Sequence, residues 1–84
     1  MQFWIVALSM GKAGKALKQV LETYSITQYK LAVTMQISRS NVHRWIYEVV
    51  DPTGDSILGI RDALEEINLE ASEEFIRLYL ARSE

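Results

Sequence analysis

Gln28, Ser38, Arg39, Ser40, Asn41, His43 and Arg44 are the side chains of this sequence best suited to recognising another molecule. Arg offers a rigid fork of donors that grips two acceptors at once, Asn and Gln set a donor beside an acceptor, and Ser serves as either. Arg39, Ser40, Asn41, His43 and Arg44 share one side of a helical pattern whose other side carries Val42, Trp45, Ile46 and Val49 at spacings of three and four. No acid occurs between Glu22 and Glu48 to neutralise that polar run. The same residue types argue against catalysis. His43 is the one His, no acid in its own turn would orient it as a base, and there is no Cys, no Gly-rich phosphate loop and no pair of carboxylates in an apolar stretch. The chain is therefore expected not to be an enzyme and to need no cofactor or metal. His43 reads either as a contact residue or as an exposed His without a role.

Two short helices must position these groups. In the stretch TQYKLAVTMQISRSNVHRW, from Thr27 to Trp45, Thr27 is placed to cap the first helix, with Lys30 where a capping box prefers Glu or Gln. Leu31, Ala32 and Met35 fall on one side of that helix. Ser38 opens the second, its hydroxyl able to accept from the backbone N–H of Ser40 or Asn41. Helices this short, joined by so tight a turn, cross steeply and leave the polar face of the second free to meet something outside.

These residues resemble the helix-turn-helix of the phage-repressor-like family, the Cro and repressor (XRE) type of DNA-binding domain. Gln28 near the start of the first helix, Leu31 and Ala32 after it, Ser38 at the start of the second, and apolar residues at Ile37, Val42 and Trp45 carry the likeness. It extends loosely from about Lys15 to about Ile67. One departure is Gln36, at a turn position commonly filled by Gly because φ is positive there; a non-Gly residue costs roughly 1 kcal/mol in that conformation. The resemblance implies an all-α, compact five-helix repressor-like domain whose second helix enters the major groove of double-stranded DNA with its N-terminal residues at base edges. Arg39, Ser40 and Arg44 would carry most base contacts. Both Arg side chains suit guanine O6 and N7, and Ser40 or Asn41 suits adenine. Asn41 alternatively packs toward the core or supports the turn. Gln28 and Ser38, at helix N-termini, would meet phosphate oxygens. Trp45, in register with Val42 and Val49, reads as a core anchor rather than a DNA contact.

The function expected is that of a sequence-specific transcriptional regulator, a repressor, working as a homodimer on a two-fold site. The alternative is a protein-interaction module or antitoxin on the same scaffold, with weak or no DNA binding. No small-molecule effector site is evident.

Eighty-four residues with 49% hydrophobic and 24% charged side chains suit one soluble domain. With no Cys the fold must stand on packing, which suits a cytoplasmic protein. The net charge of −2 hides a dipolar chain. Up to Tyr47 there are six Lys or Arg against one acid, and from Glu48 onward three Arg against ten acids. Phosphate attraction is local and screened, so the basic half counts for more than the total.

Outside the central stretch, residues 1–10 form an apolar N-terminal extension and residues 11–84 the domain. The run from Phe3 to Leu8 is too short to span a membrane and lacks a signal-peptide pattern, so no membrane partner is expected. It reads as a strand, a helical turn or a buried tail, or else as sequence upstream of a natural start at Met10. Gly11 to Tyr24 reads as a helix with Ala13, Ala16, Leu17, Val20 and Leu21 inward. On its other side Lys12, Lys15 and Lys18 form either a phosphate-facing ridge or a solvated face. Pro52 stops the recognition helix by about Val50. Asp55 or Ser56 is expected to cap a fourth helix, burying Ile57, Leu58, Ile60, Ala63, Leu64 and Ile67. Asp51, Asp55 and Asp62 lack the Gly and the bidentate Glu of a calcium loop. Asn68, or alternatively Ser72, starts a last helix to about Ala81. Its large apolar side chains serve self-association or cover the Phe3 to Leu8 run.

Overall fold

The structure is a computed structural model that describes residues 12–47 and 50–81. The run from Phe3 to Leu8, Met10, Gly11 and Val49, about which the sequence raised expectations, lie outside the described residues. What is described is all-α: α1 (Lys12–Thr23), α2 (Gln28–Met35), α3 (Arg39–Tyr47), α4 (Gly54–Ile67) and α5 (Leu69–Leu80).

Every residue expected on the inner stripe of α1 is buried, and Gly14 joins them. The helix ends in a left-handed Ser25 (φ 56°). The Ile26 N–H reaches back to the Leu21 carbonyl at 2.9 Å and the Ser25 N–H to Glu22 at 3.4 Å, which is the paired bond pattern of a Schellman cap. Ile26 and Leu21, brought together by that reversal, are both buried. The same device closes α2. Gln36 is left-handed (φ 62°, ψ 42°), its N–H bonds to the Val33 carbonyl at 3.1 Å, and the Ile37 N–H bonds to Ala32 at 3.0 Å. The turn residue singled out in the sequence thus takes the conformation that Gly usually fills.

Polar caps set the other boundaries. Thr27 Oγ1 accepts from the Lys30 N–H at 2.9 Å. Thr53, not Asp55 or Ser56, caps α4: its Oγ1 accepts from the Ser56 N–H at 3.2 Å, and the helix begins at Gly54. The acid expected as a cap, Asp55, instead lies in the first turn, where its charge suits the positive helix end. Asn68 alone separates α4 from α5. Its N–H donates to the Leu64 carbonyl at 2.6 Å and its Oδ1 accepts from the Glu70 N–H at 2.9 Å, so one residue closes one helix and opens the next. Ser72 is not a helix start; it is buried in α5 and donates to the Arg61 carbonyl at 2.8 Å, tying α5 to α4.

Phe75, Leu17, Leu31, Ile60, Leu64, Val20 and Val42 are the largest fully buried side chains, drawn from all five helices. α5 packs on α4 and α1, while α2 packs on α3 and α4. Leu58 departs from expectation: it is 50% exposed. Ile57, Leu58 and Ile60 cannot all face one core, because successive helical residues turn by about 100°, and the Ile pair takes the inner side.

Candidate nucleic-acid interface

α3 rests on the body through Val42, fully buried, and Trp45, 8% exposed. Trp45 is therefore a core anchor, as its register indicated. Arg39, Ser40, His43 and Arg44 are exposed, whereas Asn41 and Gln28 are half-buried. The turn from Gln36 to Ser38 sets the start of α3 against α2, and Arg39 and His43 share an open cleft with Gln28 at the beginning of α2. A smaller groove on the exposed side of α3 is lined by Arg39, Ser40, His43 and Arg44 together. Five of the expected residues thus border one continuous surface.

Ser38 is the outer hinge of that surface. Its Oγ accepts from the Ser40 N–H at 3.2 Å and lies 2.7 Å from Ser40 Oγ, so both hydroxyls sit at the positive end of α3. No acid occupies the first turn of α3. Backbone N–H groups, two hydroxyls and the exposed Arg39 guanidinium consequently make an anion-favouring tip.

Asn41 is placed between its two readings. Its Oδ1 accepts a hydrogen bond from Arg44 Nη2, one turn on, so the amide steers a guanidinium and keeps its NH2 group for an outside partner. Arg44 is thereby oriented by a neutral neighbour that leaves its charge intact. The ion pairs Arg61–Asp62 at 2.9 Å and Arg77–Glu74 at 2.5 Å lie within α4 and α5.

Aromatic residues that the sequence reading passed over also border the cleft. Tyr29, beside Gln28, is 64% exposed, and Tyr47 is 53% exposed. The His43 ring lies 4.7 Å from that of Tyr47. Lys18 Nζ stands 5.5 Å from the Tyr47 ring centroid, a cation–π contact that ties α1 to the end of α3. The signal was present in the sequence, since His43 and Tyr47 are four residues apart on one helix.

The lysines of α1, read as a phosphate-facing ridge or a solvated face, have three different surroundings. Residues three apart drift by about 60° per step around a helix. Lys15 is exposed, Lys18 turns to Tyr47, and Lys12 Nζ donates to the Ala81 carbonyl at the end of α5 at 2.7 Å.

Among the described residues, no group of three or more His, Asp or Glu is arranged to hold a metal ion, and no helix is long and apolar enough to cross a membrane. No family model, no curated protein and no solved structure matches this chain.

Proposed function

We propose that this chain is a sequence-specific double-stranded DNA-binding protein, a helix-turn-helix regulator of the Cro and repressor type that inserts α3 into the major groove. The observation that carries the reading is the exposed row Arg39, Ser40, His43 and Arg44 on a helix whose opposite side is anchored by Val42 and Trp45. Arg39 and Arg44 read guanine edges through paired bonds, and Ser40 reads a neighbouring base directly or through water. Gln28 and Ser38, at the starts of α2 and α3, meet phosphates and fix the register.

A single domain of this kind covers roughly 600 to 1,000 Å² of DNA-facing surface. Useful affinity then asks for two copies on half-sites roughly 34 Å apart. Leu58, Leu69 and Leu80, each at least half exposed on α4 and α5, supply apolar surface for such a homodimer. The acidic character of those helices suits a side turned away from phosphate. In this reading the protein is a cytoplasmic repressor that works by occupying its site. The same exposed leucines favour the second reading, a protein-interaction module or antitoxin with weak DNA binding.

Selection of bound sequences from a random duplex pool at moderate salt tests the proposal. A two-fold symmetric consensus, abolished when Arg39 and Arg44 are both replaced by Ala, supports it. Absence of salt-sensitive binding to any duplex overturns it and leaves the interaction module.

A further inference from the structure

Arg39, His43 and Tyr47 follow one another at intervals of four on α3, and all three border the cleft shared with Gln28. Side chains of a helix lean toward its N-terminus, so each member of such a row leans on the one before it. The His43 and Tyr47 rings accordingly meet, with centroids 4.7 Å apart and planes tilted by 43°. Tyr47 is held in turn from α1, where Lys18 Nζ stands 5.5 Å from its ring centroid. His43 also lines the groove of Ser40 and Arg44, so its ring belongs to both hollows of the exposed face.

We infer, on the basis of the duplex binding proposed above, that Tyr47 is a positioning residue that holds the His43 imidazole for a hydrogen bond to a purine N7. An imidazole carries an N–H donor in either protonation state. N7 is the major-groove acceptor that guanine and adenine share and that neither pyrimidine offers. A single donor at His43 therefore selects purine over pyrimidine, beside the guanine contacts of Arg39 and Arg44. A ring held against its neighbour keeps fewer orientations, so less freedom is lost when it bonds to a base. The ring of Tyr47 does this, and its hydroxyl has no part in it.

The test compares the parent chain with His43→Ala, Tyr47→Leu and Tyr47→Phe on the consensus duplex found by random-site selection. Each purine of a half-site is replaced in turn by its 7-deaza analogue, which removes N7 and leaves the pairing edge intact. In the parent one such replacement should weaken binding about three- to tenfold through the lost His43 bond. His43→Ala should show no penalty at that position while keeping those due to Arg39 and Arg44. Tyr47→Leu should remove most of the penalty, and Tyr47→Phe, which keeps the ring, should retain it. Residues 43 and 47 are exposed, so every variant should keep the parent Tm. A consensus with no 7-deaza penalty that depends on His43 overturns the assignment alone. So does a His43-dependent penalty that survives Tyr47→Leu, or one lost in Tyr47→Phe, where the hydroxyl itself would meet the DNA. A parent chain that binds no duplex overturns the duplex-binding proposal and this assignment together.

Discussion

Gly14 lies against the backbone of Trp45 so closely that a Cβ added at residue 14 would stand 2.0 Å from the Trp45 carbonyl oxygen. α1 and α3 therefore meet main chain to main chain, and Gly14 is the residue that permits the approach. Because the obstacle is backbone, no rotamer change relieves it. Gly14→Ala is expected to destabilise the fold by about 3 kcal/mol, at the upper end of ordinary overpacking costs. Thermal unfolding followed by circular dichroism measures this, and an unchanged Tm would show that the two helices do not cross here.

Arg39→Ala is expected to weaken duplex binding. If Arg39 also meets a phosphate, the slope of log affinity against log salt should become shallower by about 1. Its guanidinium is exposed, so the folding free energy should stay within about 0.5 kcal/mol of the parent. Affinity measured over a salt series, beside a denaturant titration, separates the two effects.

In the proposed DNA-bound state Asn41 is expected to act through Arg44, given the hydrogen bond between them. Asn41→Ala should reduce binding in the parent chain and have little further effect in an Arg44→Ala background. A double-mutant cycle on one duplex measures the coupling. Strict additivity would mean that Asn41 meets the DNA on its own account.

Left-handed Gln36 is a local conformational cost that Gly would relieve. Gln36→Gly should stabilise the domain by up to about 1 kcal/mol, the left-handed relief being partly offset by the greater freedom of the unfolded chain. Gln36→Val, β-branched, should destabilise it. The order of the midpoints in urea checks both substitutions.

Glu74 accepts hydrogen bonds from Arg77, and that contact, aided by the Arg77 charge, holds its carboxyl below the ordinary value of 4.5. A depressed folded-state pKa contributes stability that is present above pH 4.5 and disappears as pH falls through the folded value. Glu74→Gln should thus be less stable than the parent at pH 7 and converge with it in strong acid. Since the pair is on the surface the gap will be small, and parallel denaturation series at the two pH values reveal its sign.

Much of the helix-turn-helix stretch was legible because its determinants are neighbours in the chain. Thr27 caps a helix three residues on, Ser38 reaches Ser40, and Leu31, Ala32, Val42 and Trp45 repeat at helical spacing. Errors arose where two local signals competed. Asp55 and Ser56, both good capping residues, competed with Thr53, which is the cap. Leu58, set between Ile57 and Ile60, made the apolar stripe of α4 wider than one core face accepts. Asn41 carried two plausible roles, and only the direction of its side chain showed that it steers Arg44.

From the sequence alone came the five helices and the polar row on α3, since capping and periodicity act over about four residues, whereas the turn at Gln36 was pointed to by the family resemblance. Tertiary structure decided that Gly14 must lack a side chain, that Lys12 bonds to the end of α5 and that Lys18 meets Tyr47. Those contacts join residues far apart in the chain, and no local pattern records how two helices will cross; the crossing is set by how closely their surfaces can approach.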